Sequence, residues 1–316
     1  MLNRRHLRVK TLQTLYSYQQ SESKEVKPFE NALVQSVDKV YEMYIWLLSL
    51  LVEVAEYSLT DAEDRANKHL PTDDDLNASV KLNQNLFIQS LKQNPEYIAA
   101  VNRYKISWSF DPEVSRSVFL SLKNAPEYHD FLQTEVHTIK SDKDVIKHIF
   151  KKLILKSPGV EQIFEEKFIN WPVDKDVLQA LIAKTFKNFS HENPLENKLA
   201  EVCPNWVEDR PYIIDLFNKS VAFEKEYQEL ISQKTKNWEA DRIAMMDILL
   251  MRMAITELVH FSSIPVKVTI NEYIEISKEF STPKSNLFIN GILDKIYADL
   301  KTAGKVRKVG RGLLEK

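Results

Sequence analysis

The chain has 316 residues, of which 44% are hydrophobic and 28% are charged, as in a folded, water-soluble protein. Its single cysteine, Cys203, cannot form an internal disulfide, and its most apolar run, 43–57, is shorter than a bilayer span and is interrupted by Glu53 and Glu56. These features argue against a disulfide-stapled secreted domain and a membrane protein, so we expect a cytoplasmic protein without a secretory signal.

Charge is unevenly distributed along the chain. Residues 1–21 carry +4 and residues 301–316 carry +5, so the net charge of −2 leaves −11 for residues 22–300. Two basic ends on an acidic body indicate a polyanionic partner at the termini. For residues 301–316 the alternative is a flexible, solubilising tail, and that is the interpretation we favour.

Nearly every segment of the chain predicts a helix. Asn3 is expected to begin a first helix that ends near Gln20, and a second helix is expected from about Pro28 to Ser58. Residues 60–80 are polar and contain Pro71, which predicts an exposed connection. Further helix starts are predicted at Asn94-Pro95, Asp111-Pro112, Ser141, Asp174 and Pro211.

From residue 81 onward, the sequence predicts two kinds of helix. From 81 to about 205 the helices are short and separated by prolines, and their aromatic residues are expected to pack a core: Phe87, Tyr97, Tyr104, Trp108, Phe110 and Phe119. Residues 240–260 are apolar on nearly every side, which predicts a central, buried helix. A helix near 266–280 and a last helix that contains Gly291 are expected to follow.

Signals of catalysis are scarce. Five glycines, three of them in the last 13 residues, do not allow a Walker loop or a dinucleotide-binding fingerprint. The sequence has neither a G-x-S-x-G elbow nor an H-E-x-x-H pair, and its seven histidines lack metal-ligand spacing with Cys203. We therefore expect no enzymatic activity, no cofactor and no metal.

The basic start of the first helix is more informative. Arg4, Arg5 and Arg8 share one helical sector, and Leu12 and Leu15 form a stripe that can dock the helix. Cations in a first turn oppose the helix dipole, so local stability does not explain them. Arginines on one face can bind phosphates and stack on bases, as in RNA-binding helices. A solvated basic N-terminus remains the alternative.

Three stretches resemble the NusB family of bacterial transcription antitermination factors. They are "RRHLRVKTLQTLYSYQQSE" (4–22), "DILLMRMAITEL" (247–258) and "IPVKVTINEYIEISKEFSTPKSNLFINGILDKI" (264–296). The last stretch is long, ordered and specific. The resemblance covers about 20 residues at the start of the chain and about 95 near its end.

The resemblance implies an all-α fold of two small helical bundles that binds a single-stranded element of ribosomal-RNA leaders. Binding would be joint with NusE, a small-subunit ribosomal protein, and the complex would join elongating RNA polymerase and suppress termination. Asp247 matches an acidic position on the NusE-binding face. The candidate RNA-binding residues are those at matching positions, together with Lys10 of the basic start: Arg4, Arg5, Arg8, Lys10, Tyr16, Arg252 and Phe288.

The chain also departs from the family pattern. It is about twice the family's length, and 61–205 has no recognisable counterpart, so we expect a helical insertion there between NusB-like segments at 1–60 and 206–300. Two other functions stay open. One is a protein-interaction scaffold whose function resides in the insertion. The other, an RNA methyltransferase fused to a NusB-like domain, would need a Gly-rich α/β domain that no segment supplies.

Gly291 is the only glycine expected inside a regular element, where glycine costs about 1 kcal/mol relative to alanine. We interpret it as a site where the last helix approaches the first helix closely, so that a larger side chain would be excluded. On this interpretation Gly291→Leu should destabilise the fold.

Overall fold

The protein is all-α. The computed structural model describes residues 1–134, 138–190, 193–235 and 243–313, and within them it contains 15 α-helices and no strand, which confirms the predicted fold class. Two predictions fall partly outside these residues: Ala240, Asp241 and Arg242 of the predicted buried helix, and the last three residues of the basic tail.

The chain divides into two units. Unit 1 consists of Met1 and Asp38–Val202, and unit 2 consists of Leu2–Val37 and the chain from Cys203 onward. Unit 2 therefore joins the start of the chain to its last third. The division falls inside one helix of 41 residues, at a point that no change in composition marks.

Unit 2 contains α1 (Arg4–Gln20), the beginning of α2 (Val26–Ala66), and five helices of the C-terminal third. The first turn of α1 is closed by a capping box, in which the Asn3 side chain accepts hydrogen bonds from the Arg5 and His6 amides. The five C-terminal helices are α11 (Trp206–Ala222), α12 (Glu224–Lys234), α13 (Met245–His260), α14 (Val266–Phe280) and α15 (Ser285–Thr302).

The centre of unit 2 is α13. It packs against α1, α11, α12, α14 and α15, and residues from Leu249 to Leu258 are all buried. This confirms the prediction of a central, buried helix from Met245 onward, whereas the two described residues before it, 243 and 244, were predicted to be helical and are not. A helix that is apolar all round can be satisfied only by neighbours on every side, and α1 supplies one of them through Leu7, Leu12 and Leu15.

Unit 1 contains the rest of α2 and eight shorter helices. Its core is rich in aromatic side chains: Trp46 and Trp108 meet edge to face at 5.0 Å between ring centroids, and Phe87 meets Phe186 at the same distance. The eight helices are α3 (Asp73–Leu76), α4 (Leu86–Gln93), α5 (Pro95–Tyr104), α6 (Pro112–Lys123), α7 (Pro126–Gln133), α8 (Ile139–His148), α9 (Pro158–Lys167) and α10 (Trp171–Asn188).

The aromatic core of unit 1 was predicted with one error. Phe87, Tyr97, Trp108 and Phe119 are buried and Tyr104 is half-buried, but Phe110 is 90% exposed. Phe110 lies in the turn before α6, where the chain reverses at the surface and no helical face directs the ring inward.

Several helix starts also differ from prediction. Asn3, Asn94 and Asp111 precede helices as expected. Ser141 does not, because Thr138 caps α8 and Ser141 is its partner in a capping box, and Asp174 lies inside α10 after Pro172. Pro211 lies in the second turn of α11 instead of opening it. The carbonyl that Pro211 leaves without an amide partner belongs to Val207, a residue 90% exposed to water.

The second helix is longer at both ends than predicted. Pro28 falls in its first turn, where a missing amide costs nothing, and the polar stretch up to Ala66 continues the helix. By length and composition this helix could cross a membrane, but 72% of its most apolar window is buried inside the protein, as in a core helix of a soluble protein.

Candidate nucleic-acid interface

The basic start of α1 divides into an exposed part and a buried part. The side chains of Arg4 and Arg5 are 40% and 42% exposed, whereas that of Arg8 is 3% exposed and Lys10 is buried. Arg4 and Arg5 lie in the first turn of α1, and the residues directly after this turn are covered by neighbouring helices. Burial leaves the side chains of Arg8 and Lys10 almost no accessible surface, so neither offers the accessible charge on which the prediction of direct RNA contact depends.

Each exposed arginine has an acidic partner in unit 2. Arg4 Nε lies 2.8 Å from Asp209 Oδ1, and its guanidinium stacks 4.2 Å from the centre of the Tyr212 ring. Arg5 donates through Nε and Nη2 to the two oxygens of Glu272, at 3.0 and 2.8 Å. The bond to Glu272 raises the pKa of Arg5 above its ordinary value. Both guanidiniums are thus held at the surface in fixed orientations.

Arg8 belongs to a buried network centred on Glu257 of α13. Its Nε and Nη2 donate to the Glu257 carboxylate at 2.9 and 2.8 Å. Three hydroxyls also donate to Glu257, from Tyr212 at 2.8 Å, Thr269 at 2.7 Å and Tyr273 at 3.3 Å. Burial acts to raise the pKa of Glu257, but the charge of Arg8 and these hydrogen bonds outweigh it, and the pKa lies below its usual range. The network ties α1, α11 and α14 to α13.

Arg4 and Arg5 line a surface groove of unit 2, which we call the arginine groove, with a volume of about 880 Å³. It lies at the first turns of α1, α11 and α14, and the positive ends of these helices favour an anion there. One side is apolar, and Val268 on it is 44% exposed. The residues that define the groove are Asn3, Arg4, Arg5, Arg8, Arg311, Glu208, Glu272, Ser263, Ile264, Pro265 and Val268.

The other predicted site residues lie elsewhere. Tyr16 is exposed on α1 and Phe288 is half-buried on α15, and neither lines the arginine groove. Arg252 is buried, and its guanidinium donates to Glu224 at 2.9 Å and Gln19 at 3.3 Å. Its predicted contact with RNA is contradicted by this burial, which leaves Arg252 bracing α13 against neighbouring segments.

Asp247, the predicted partner-binding residue, is also buried. Its two carboxylate oxygens accept hydrogen bonds from the hydroxyls of Ser281 and Ser285, at 2.5 and 2.9 Å. It thereby fixes the turn between α14 and α15. A surface role for Asp247 is contradicted, because its hydrogen-bonding capacity is directed inward.

The interpretation of Gly291 is wrong. The residue is exposed, and no described atom outside its own helix lies within 4 Å of the position that a Cβ would occupy. In the part of the chain that the structure describes, no second backbone approaches at this point. The close approach is at Gly312 instead, where a Cβ would lie 2.0 Å from the carbonyl oxygen of Ser262.

Cys203 and the acidic residues offer no sign of metal chemistry in the described part of the chain, where no group of three or more potential ligands converges. Cys203 is half-buried and its thiol donates to Asp209 at 3.2 Å. Burial, with the neighbouring Asp209 carboxylate, raises the pKa of the thiol to about 12, so it is an inert thiol.

Sequence reasoning missed the acids of this region and Arg311. Glu272 and Glu257 each lie more than 240 positions from their arginine partners, and nothing local to either residue marks the pairing. Arg311 could have been noticed as part of the basic C-terminal segment, but its place beside Arg4 and Arg5 depends on how the tail folds back.

Comparisons with known proteins find similarity to the NusB family. A sequence model of the NusB family matches residues 176–298. A transcription antitermination protein NusB from Salinibacter ruber is 38% identical over 154 residues, which are 49% of this chain and 88% of that protein. One from Geobacter sulfurreducens is 38% identical over 127 residues, 40% of this chain and 92% of that protein. One from Chloroherpeton thalassium is 39% identical over 109 residues, 34% of this chain and 52% of that protein. No solved structure matches the chain significantly.

Proposed function

The chain belongs to the NusB family of transcription antitermination proteins, and we propose that it binds a single-stranded element in ribosomal-RNA leader transcripts. Binding occurs jointly with NusE, and the assembly joins the RNA polymerase elongation complex in the cytoplasm. The action is one of binding, without a catalytic step. The observation that carries the proposal is the pair of exposed arginines, Arg4 and Arg5, at the arginine groove.

The geometry suits a phosphate backbone. Arg4 and Arg5 present guanidinium groups that can each bind phosphate through two hydrogen bonds. Asp209 and Glu272 occupy those groups in the free protein, in the positions that phosphates would take. RNA must displace these carboxylates, so the net gain of each contact is smaller than that of an unpaired arginine. Val268 and its apolar neighbours offer a surface for the faces of bases or ribose rings.

Arg8 has a different role in this proposal. It holds α1 in place through Glu257 and so positions Arg4 and Arg5 without touching RNA. Tyr16 and Phe288, which lie outside the groove, are candidates for contacts with a strand that continues past it. The face that meets NusE is left without Asp247, whose carboxylate is used internally.

The test is a binding titration with a labelled single-stranded RNA copied from the ribosomal-RNA leader, with and without NusE. The double variant Arg4→Ala/Arg5→Ala should bind more weakly, and the salt slope of log K should be shallower by about 1.4, since each lost phosphate contact to a single strand removes about 0.7. The matched control is Arg103→Ala/Arg116→Ala, which removes two exposed, ion-paired arginines of unit 1. Equal slopes in the two double variants would contradict the proposal.

A second role is favoured by the size of unit 1. The family model reaches only residues 176–298, so most of unit 1 lies outside it. We infer that unit 1 is a protein-interaction module added to an RNA-binding unit 2. If leader RNA does not bind the chain at any salt concentration while unit 1 still captures a transcription component, the scaffold becomes the main function.

A further inference from the structure

Within unit 2, the segment after α15 is held at three points against the C-terminal end of α13 and the residues that follow it. The Val309 amide donates to the Ser262 carbonyl at 3.0 Å, and the Gly312 backbone lies so close to the same carbonyl that only glycine fits. Lys308 Nζ donates to the carbonyls of Glu257 and Phe261, at 3.2 and 2.9 Å. The expectation of a flexible tail is wrong for residues 308–312.

Lys308 is a C-terminal cap for α13. The last carbonyls of a helix have no amide partner and carry partial negative charge, which an ammonium group satisfies. Burial lowers the pKa of Lys308 to about 8. The burial of the ammonium group costs free energy. The hydrogen bond at Val309 and the close contact at Gly312 fix the backbone that follows Lys308 and hold Lys308 in this position.

These anchors place Arg311 at the arginine groove. Arg311 lies between Val309 and Gly312, its side chain is exposed, and it lines the groove with Arg4 and Arg5. It differs from those two arginines in one respect: no described residue forms an ion pair with it, whereas Arg4 pairs with Asp209 and Arg5 with Glu272. Among the described residues, no carboxylate competes with an arriving phosphate for Arg311 through an ion pair.

We propose that Arg311 is a phosphate-binding residue for single-stranded RNA and that the docked C-terminal segment, residues 308–312, forms a further wall of the arginine groove. This inference rests on the proposed function and extends it to a segment beyond residue 298, where the family model ends. RNA is the ligand because the groove joins three exposed arginines to an apolar side, the combination that binds phosphates and bases together.

The test compares Arg311→Ala with Arg307→Ala in the full chain. Both remove one exposed arginine from the same segment, but Arg307 does not line the groove. With the labelled leader RNA, Arg311→Ala should lower affinity and make the salt slope shallower by about 0.7, and Arg307→Ala should leave the slope unchanged. Gly312→Ala keeps Arg311 but displaces its anchor, so it should reproduce the effect of Arg311→Ala while helical content stays the same.

The outcomes separate this inference from the proposed function. If Arg4→Ala/Arg5→Ala weakens binding and Arg311→Ala does not, the inference is overturned and the proposed function stands. If both leave binding unchanged, the arginine groove is not the RNA site and both fall. Equal losses in Arg311→Ala and Arg307→Ala would show a general effect of tail charge and overturn the assignment to Arg311. A parental slope in Gly312→Ala would overturn the anchoring.

Discussion

Arg4 and Arg8 show how one helical turn changes the role of a residue. They lie on the same face of α1, yet Arg4 is exposed and paired with Asp209, while Arg8 is buried and paired with Glu257. The sequence treats them alike, as two members of a basic sector. Only the packing of α11, α13 and α14 around the second turn makes Arg8 a structural residue.

At this scale we predict that Arg8→Ala destabilises the protein strongly. The substitution leaves the Glu257 charge buried without its cation, and breaking a buried ion pair in this way costs about 3–5 kcal/mol. Arg4→Ala is the matched control, because Arg4 is 40% exposed on the same helix, and the loss of its ion pair with Asp209 and its stacking on Tyr212 should cost less, about 1–2 kcal/mol. Urea unfolding followed by circular dichroism measures both.

The comparison has a clear contradictory outcome. If Arg8→Ala and Arg4→Ala unfold at the same urea concentration, the Glu257 network is not a determinant of stability. The result also bears on RNA binding, because a triple alanine variant at Arg4, Arg5 and Arg8 would lose affinity through unfolding. The double variant that spares Arg8 avoids this ambiguity.

At the scale of elements, the pattern of apolar residues was a good guide to helices and a poor guide to their surroundings. The all-α class, the extent of α1 and the central position of α13 follow from periodicity, since a buried stripe or an all-apolar helix has few alternatives. The start of α11 was misplaced because proline marks a helix start only on average. Gly291 was misinterpreted because a glycine inside a helix can mark a site of close packing or can lie at an exposed position that has no close neighbour.

The candidate site could be predicted only in part, because a local pattern does not show what surrounds a residue. The exposed cations Arg4 and Arg5 were visible from charge and position alone. Their acidic partners, the burial of Arg252 and Asp247, and the arrival of Arg311 depend on contacts between segments distant in sequence. No local pattern encodes such contacts, so these features had to come from the three-dimensional structure.

The element-scale prediction concerns two glycines with opposite outcomes. Gly291→Ala should stabilise the protein by about 1 kcal/mol, because alanine is the better helix former and nothing described obstructs its methyl group. Gly312→Ala, in contrast, should not stabilise, since its methyl group would collide with the Ser262 carbonyl. Thermal melts of the two variants decide the matter. A lowered midpoint for Gly291→Ala would restore the close-packing interpretation that the structure contradicts.

At the scale of the whole molecule, unit 2 is assembled from the two ends of the chain. Residues 2–37 and the C-terminal third are separated by 165 residues of unit 1, yet α1 packs on α11, α13 and α14. Arg5 and Arg8 add ion pairs across the same junction. The basic ends that the sequence places far apart, near Arg4 and near Arg311, consequently line one groove.

This assembly predicts how the chain responds to a cut. The residues between α2 and α3, from Asn67 to Thr72, are all exposed, and limited proteolysis should cleave there first. The N-terminal fragment keeps α1 and its contacts with α11, α13 and α14, so the two fragments should elute together in size-exclusion chromatography without denaturant and separate only on a denaturing gel. In the same experiment Arg8→Ala should promote separation, because it removes the buried ion pair that joins α1 to α13. If the fragments of the parent protein separate under native conditions, α1 is held to the C-terminal helices by chain connectivity alone. A groove that combines residues from both ends of the chain would then not be stable.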